Sequence, residues 1–495
     1  MRTLRSPQDA AHWLSTRVRG ALRADSRQVV AGDGFIAWPG ASTDGRRHVT
    51  AALANGAAAC LVEAEGVEAF QWDASDEAAL ASYPGLKAAT GPIAAAYYEQ
   101  PSEHLEVIAV TGTNGKTSTA WWLAQALSQT AHGGCGVIGT LGIGRPPEVD
   151  YTGLTTPDPV LLQKHLRAFV DQGLSACAIE ASSIGIVEKR LDATRITVAV
   201  FTNFTRDHLD YHGSLDAYWD AKAALFAWPG LRAAAINLDD EKSESLVDSL
   251  AGSGVDVWTF SCHRHDARLR ALDITYGEAG LRFTVAEGAQ HETLQTQMIG
   301  QYNVSNLLGV IAAMRAVGVA LGEAVRACAS LLPVPGRMER LHRAGQPLIA
   351  VDYAHTPDAL DKALTALRPL AQQRGGRLWC VFGCGGDRDT TKRPLMAAIA
   401  EKNADQVVVT SDNPRSEKPQ NIISQILLGL SHRDAVQVEI DRARAIEATV
   451  LAAAASDVIL LAGKGHEDHQ DVGGVRIAFD DRAHARSALD KRVAP

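Results

Sequence analysis

The stretch Thr111-Gly112-Thr113-Asn114-Gly115-Lys116-Thr117 has the residue types needed to hold a nucleoside triphosphate. Glycines let backbone N–H groups turn inward onto phosphate oxygens, and a helix starting at the lysine presents the positive end of its dipole to the same anion. Lys116 is placed to reach the β- and γ-phosphates, and the Thr117 hydroxyl to coordinate Mg²⁺. The competing reading is an ordinary glycine-containing βα turn followed by a surface lysine. An apolar strand before the loop and a helix after it favour phosphate. Val110 stands where the first glycine of G-x-x-x-x-G-K-[ST] is usual, and Asn-Lys-x-Asp is missing, so adenine is the expected base.

Other candidates follow downstream. Ala176-Cys177-Ala178-Ile179-Glu180 ends an apolar strand in a carboxylate, where a Mg²⁺ ligand is expected if the strand neighbours the phosphate loop; otherwise it is a solvated strand-end acid. The polar run Thr202–Gly213 follows another apolar strand, so its groups gather at the same sheet edge. Within it His208 is a candidate metal ligand or substrate-orienting group, although a lone histidine is more often structural. Lys222 reads, on sequence alone, as a surface lysine. A bare ammonium would sit badly beside two Mg²⁺ ions, whereas a carbamylated lysine would supply an oxygen ligand of opposite sign.

These residues need a scaffold. At about 150 residues per domain, 495 residues allow three domains. With 46% hydrophobic and 21% charged residues the composition is that of a globular protein, and a net charge of −9 gives no global basic field for nucleic acid. No apolar run approaches the ~20 residues of a membrane span. The start, Met1-Arg2-Thr3-Leu4-Arg5-Ser6-Pro7, leads into polar Gln8-Asp9 and does not read as a secretory leader. Seven thinly spread cysteines argue against a disulfide framework, and Cys380 and Cys384 read as buried thiols. A cytoplasmic protein is expected.

Strand-length apolar runs alternate with helical stretches, the pattern of parallel α/β sheets. Expected strands include 34–38, 58–62, 105–110, 175–180, 196–201, 233–237, 348–352, 378–382, 406–410 and 458–461. Pro101-Ser102-Glu103 and Leu331-Leu332-Pro333-Val334-Pro335-Gly336 read as boundaries. The expected organisation is 1–103, a small N-terminal α/β domain; 104–335, a central parallel-sheet domain of P-loop ATPase type; and 336–495, a Rossmann-like doubly wound domain.

The ordered set of motifs resembles the Mur ligase family, in its MurE type, over essentially the whole chain. Beside the phosphate loop its markers are Glu180-Ala181-Ser182-Ser183, Asp207-His208-Leu209-Asp210-Tyr211-His212-Gly213, Ala221-Lys222, Gly300-Gln301-Tyr302-Asn303-Val304-Ser305-Asn306 and Pro335-Gly336-Arg337-Met338-Glu339. Asp352-Tyr353-Ala354-His355-Thr356-Pro357-Asp358, Gly386-Asp387-Arg388-Asp389, Asp412-Asn413-Pro414-Arg415 and Gly463-Lys464-Gly465-His466-Glu467 complete the series.

The resemblance implies a division of labour. The first domain holds the UDP end of the substrate UDP-N-acetylmuramoyl-L-Ala-D-Glu, with Ser26, Ser42 and Thr43 at matching positions. Asn303 and Asn306 match an adenine-side motif, and Arg337 and Asp352 match ATP contacts from the linker and last domain. Thr155, Thr156, Ser182, Glu188 and Arg190 match positions lining the muramoyl-dipeptide. Catalytic and metal roles fall to Lys116, Glu180, His208 and Lys222, the last as N6-carboxylysine. Arg388, Asp412, Asn413, Pro414, Arg415, Gly463 and Glu467 match positions for meso-diaminopimelate.

The implied reaction uses ATP and Mg²⁺ to convert a carboxylate to an acyl phosphate that the amine then attacks, in peptidoglycan precursor synthesis. A monomer is expected, with neither nucleic acid nor membrane as partner. Arg415 can pair fork-to-fork with the distal carboxylate that lysine lacks; leaving it unpaired costs about 3–5 kcal/mol if buried, about two to three decades of discrimination. A solvated Arg415 after an Asn-Pro turn is the competing reading. Glu188 stands where a glutamine is common, adding negative charge near an anionic substrate; Ile184, Leu154 and Lys418 also depart from the family pattern. The rival functions are a lysine-adding relative, a folylpolyglutamate synthetase, or a non-catalytic nucleotide-binding regulator.

Overall fold

The computed structural model describes residues 1–40, 43–277 and 280–493. Ser42 lies outside the described residues. Three large sheets follow one another along the chain, and a two-stranded ribbon, His469–Val472 with Val475–Ala478, comes after them. The first is wholly parallel, in the order Arg2–Thr3, Leu80–Tyr83, Ala59–Glu63, Gly34–Ala37, Leu22–Arg23.

The second has eleven strands. Glu106–Thr111 lies between Ala176–Glu180 and Val198–Phe201, parallel to both, so the phosphate loop leaves the sheet where the strand order reverses. That is where open α/β sheets bind ligands. Both faces are covered. Ile108 and Val110 pack with the helices Lys116–Leu127 and Tyr302–Ala316, while Val107 and Ala109 pack on the opposite side with Leu162 and Leu166 of the helix Pro159–Asp171. Burial on both faces is why this strand reads as an unbroken apolar run.

The antiparallel margins, Leu269–Gly277, Gly280–Glu287 and Gln290–Thr296 on one edge and Gly142–Arg145 and Glu148–Asp150 on the other, are additions to the expected strands. They are half-exposed ribbons whose apolar residues alternate with polar ones, so no continuous hydrophobic run marks them.

The third sheet carries six strands, with Leu348–Asp352, Val458–Ala462, Leu378–Phe382 and Gln406–Val409 adjacent and parallel. Helices cover both faces, Pro357–Arg374, Lys392–Asn403 and Pro419–Leu427 on one, Arg442–Ala452 and Asp481–Val493 on the other. The segment 331–336 joins this sheet to the second. Leu332 in that segment is gripped through its backbone: Trp122 Nε1 donates to its carbonyl at 3.1 Å, and its N–H donates to Gln125 Oε1 at 3.2 Å. Cys380 and Cys384 are both buried.

In the third unit Arg442 is fully buried. Its Nε and Nη2 each donate to Asp481 at 2.7 Å, and Nη2 also reaches the Ala462 carbonyl at 2.9 Å, tying two helices to a strand end. Arg442→Leu strands a buried carboxylate and should cost about 3–5 kcal/mol, read as a lower guanidinium unfolding midpoint; the Arg442→Leu/Asp481→Leu double variant should recover most of that loss.

Candidate active site

The phosphate loop closes because two of its residues lack a side chain. A Cβ on Gly112, at φ +145°, would lie 1.9 Å from Thr202 Oγ1, and one on Gly115, at φ +86°, would lie 2.4 Å from Asn306 Oδ1. Thr202 Oγ1 and Asn203 Nδ2 donate to the Asn114 carbonyl at 2.6 and 2.9 Å, while Asn203 Oδ1 accepts the Asn114 N–H at 2.9 Å. The neighbouring strand end thus laces the loop, a task not assigned to Thr202 or Asn203 from sequence. Asn303 Oδ1 accepts from Asn306 at 3.0 Å, which seats this pair against the same loop. Thr111 is buried at the strand end, and Thr113 Oγ1 meets Tyr218 Oη at 3.2 Å.

Two ammonium groups converge here. Lys116 Nζ donates to the carbonyls of Gly112 and Thr113 at 2.8 Å each, and Lys222 Nζ donates to the same Gly112 oxygen at 2.8 Å. Lys222, on the helix Leu215–Ala223, is only 1% exposed and lies over the Tyr218 ring, which corrects its reading as a surface lysine. Burial, reinforced by the neighbouring Lys116, pushes its pKa well below the ordinary lysine value. Burial also lowers Lys116.

Glu180 is buried rather than solvated. Its Oε1 accepts the Thr140 N–H at 2.7 Å, and its Oε2 accepts the Thr117 hydroxyl at 2.9 Å and the Thr140 hydroxyl at 3.3 Å. Thr140 escaped the sequence reading; it follows the strand Cys135–Gly139, which runs parallel beside Ala176–Glu180. Thr155 Oγ1 lies 3.0 Å from Thr140 Oγ1, Thr156 Oγ1 donates to the Glu180 carbonyl at 2.7 Å and lies 2.9 Å from Ser182 Oγ, and Arg190 reaches the Thr156 carbonyl at 2.9 Å. These four expected substrate residues therefore form one polar surface beside Glu180.

Among the described residues, no three His, Cys, Asp or Glu side chains converge as a ready-made metal cage. The oxygen pair Thr117 and Glu180 fits Mg²⁺, which binds through one or two protein oxygens and keeps water and phosphate oxygens as its other ligands. His208 adopts a left-handed φ of +50° and lies 3.6 Å from Asp207 Oδ2. Burial lowers its pKa, with Asp207 opposing and Lys116 and Lys222 assisting.

The linker and last domain reach the same place. Arg337 Nη2 donates to Thr117 Oγ1 at 3.3 Å, its guanidinium stacks on Tyr353 at 4.4 Å, and its buried Nε has no partner among the described residues. Asp352 accepts the Met338 N–H at 2.7 Å, and burial pushes its carboxyl up to about 6. Asn114 Nδ2 donates to Asp358 at 2.9 Å, a second contact from the last domain that the sequence left unassigned.

A separate cluster lies within the third domain. Asp412 and Asn413 are buried, and Pro414 leads to Arg415 at φ +50°. Arg415 Nη1 donates to the Gly386 carbonyl at 2.6 Å, and a Cβ on Gly385 would lie 2.8 Å from it and 3.8 Å from Arg388 Cγ. Neither Arg388 nor Arg415 has an ion-pair partner within 4.0 Å among the described residues. Asn413 Nδ2 donates to Glu467 Oε2 at 2.8 Å, and Gly463 runs so close that a Cβ would sit 2.4 Å from Asp412 Oδ2. Ser26 and Thr43 follow neighbouring parallel strands of the first sheet, apart from both clusters.

Glu188 does not leave a bare charge beside the dipeptide surface. Lys87 of the first domain donates to its Oε2 at 2.7 Å and Tyr211 Oη to its Oε1 at 2.6 Å, and these two hydrogen bonds lower its pKa. Glu188→Gln should therefore change KM for an anionic substrate less than about three-fold, whereas Lys87→Ala, which strands the carboxylate, should raise it by up to about five-fold in steady-state kinetics.

Comparison with known proteins bears on the family and the fold. Three family models match in order: "Mur ligase family, catalytic domain" over residues 21–98, "Mur ligase middle domain" over 110–314, and "Mur ligase, glutamate ligase domain" over 336–465. A UDP-N-acetylmuramoyl-L-alanyl-D-glutamate–2,6-diaminopimelate ligase from Acidovorax sp. (strain JS42) is 61% identical over 99% of this chain and 99% of its own length. A solved structure of a ligase of that description is 35% identical, covers 96% of this chain and 95% of its own, and superposes with a TM-score of 0.66. A Mycobacterium tuberculosis folylpolyglutamate synthase, 20% identical with a TM-score of 0.61 over 76% of this chain and 92% of its own, shares the fold. The chain belongs to the Mur ligase family.

Proposed function

We propose that this chain adds meso-diaminopimelate to the D-Glu carboxylate of UDP-N-acetylmuramoyl-L-Ala-D-Glu, with ATP and Mg²⁺, in peptidoglycan precursor synthesis. The observation that carries the reading is the convergence on one phosphate loop of two ammonium groups, one of them buried, the Thr117–Glu180 pair and Arg337 from beyond the linker.

The chemistry follows from charge. A carboxylate is a poor electrophile, so its oxygen attacks the γ-phosphorus, the bond to ADP breaks and an acyl phosphate forms. The amine then attacks the acyl carbon, loses a proton, and phosphate leaves as the amide bond is made. Mg²⁺ supplies neutralisation of phosphate oxygens, with Thr117, Glu180, His208 and carbamylated Lys222 as its proposed ligands. Lys116 offsets the charge that develops on transfer, and Thr155, Thr156, Ser182 and Arg190 hold the acceptor dipeptide in line. Residues 1–103 hold the UDP end, 104–335 the nucleotide and 336–495 the incoming amino acid. Arg388 and Arg415, without ion-pair partners among the described residues, suit the distal carboxylate of diaminopimelate. Among the described residues no helix is long and apolar enough to cross a membrane, and the seven cysteines are free thiols, which supports a cytoplasmic setting.

The test is phosphate release from ATP with the UDP-linked dipeptide and diaminopimelate, lysine, glutamate or no amino acid. Turnover should depend on diaminopimelate, and Arg415→Ala should lower kcat/KM for it about 100-fold or more while leaving ATP binding nearly intact. Preference for lysine or glutamate would overturn the substrate assignment, and turnover indifferent to the amino acid would point to a regulator. Carbamylation of Lys222 joins a neutral amine to CO₂ with loss of one proton. Labelling with ¹³C-bicarbonate should give a carbamate carbonyl signal by NMR that Lys222→Ala abolishes.

A further inference from the structure

Lys464 is a buried cation that the reaction outlined above does not use. Its side chain has no exposed surface. It sits between two glycines with left-handed backbones, Gly463 at φ +115° and Gly465 at φ +54°, just after the strand Val458–Ala462. Neither glycine tolerates a side chain. A Cβ on Gly463 would lie 2.4 Å from Asp412 Oδ2, and one on Gly465 would lie 2.7 Å from both the Gly336 carbonyl oxygen and Tyr353 Cβ. The turn is therefore wedged between the linker and the Asp412-Asn413 loop, and its geometry drives the lysine inward.

Inside, the ammonium closes a triangle. Lys464 Nζ donates to Glu467 Oε2 at 2.8 Å and to Asn413 Oδ1 at 3.1 Å, while Asn413 Nδ2 donates to the same Glu467 Oε2 at 2.8 Å. Asn413 Oδ1 also accepts the Asp471 N–H at 3.0 Å. Because an ammonium only donates, it fixes which way the Asn413 amide faces. Glu467 is left asymmetric: Oε2 accepts two hydrogen bonds, and Oε1 accepts none among the described residues. The Glu467 side chain is 19% exposed, so the carboxylate that carries the free oxygen is partly open to solvent.

We propose that Lys464 is a positioning residue of the amino-acid pocket: it pins Glu467 Oε2 and Asn413 Oδ1 so that Glu467 Oε1 faces the pocket and receives an ammonium group of the incoming amino acid. Arg388 and Arg415 take carboxylate, and Glu467, oriented by Lys464, takes the ammonium of the same zwitterionic ligand. This rests on the diaminopimelate reading above.

The test is a pair of variants compared with the parent and with Glu467→Gln. Lys464→Met keeps the length and removes the charge. It should raise KM for diaminopimelate at least about ten-fold, with kcat and KM for ATP changed less than about two-fold. Lys464→Gln, which keeps a donor, should fall between parent and Met variant. A lysine that merely stabilises the fold would lower the melting temperature and leave KM for diaminopimelate unchanged, and that result overturns the proposal. Lys464→Met leaves a carboxylate without its buried partner, so the double variant Lys464→Met/Glu467→Gln is measured as well. If Lys464 acts through Glu467, the double variant has the KM of Glu467→Gln alone; a KM that multiplies the two separate effects overturns the proposal. A parent enzyme that does not respond to diaminopimelate defeats the functional reading; a responsive parent with an unaltered Met variant defeats only the role of Lys464.

Discussion

One carbonyl oxygen, that of Gly112, accepts hydrogen bonds from the buried Lys222 and the half-buried Lys116, and the site is organised around that concentration of positive charge. Burial first, and the neighbouring Lys116 second, push the Lys222 pKa well below the ordinary lysine value. An anion placed against these two lysines would offset their charge. A chain with a net charge of −9 thereby keeps a local basin of opposite sign where anionic substrates must meet. The glycines, the Thr202-Asn203 lacing and the Asn303–Asn306 pair all hold this loop in the shape that makes the convergence possible.

The second organising feature is that distant parts of the chain end on the same few atoms. Thr117 is bonded to Glu180 from a neighbouring strand and to Arg337 from the linker, and Asn114 is bonded to Asp358 from the last domain. Lys87 of the first domain reaches Glu188 of the second. An active site built in this way depends on domain placement, because no single sheet supplies a complete set of groups.

The chain alone revealed the parallel strands, since burial on both faces leaves continuous apolar runs such as Val107-Ile108-Ala109-Val110. It also exposed the phosphate loop, whose glycine spacing is a local property. The half-exposed ribbons left no such run. Lys222 was legible only through family resemblance, because its burial comes from Tyr218, Lys116 and the Gly112 carbonyl, which fold around it from 110 or fewer residues away. Thr140 and Asp358 were invisible for a similar reason: each matters through a partner distant in sequence, Glu180 and Asn114. The extra charge of Glu188 reads differently once Lys87 and Tyr211 are seen beside it.

The helix Lys116–Leu127 begins at the nucleotide loop, and from its other half Trp122 and Gln125 clasp the two backbone polar groups of Leu332. Leu332 itself projects into solvent, so these bonds, and not its side chain, fasten it. The helix thus carries Lys116 at one end and the attachment of the segment 331–336 on its shaft. Tilting that helix without moving Leu332 would break two hydrogen bonds, so the glycine-containing loop and the segment leading into the third sheet are tied mechanically.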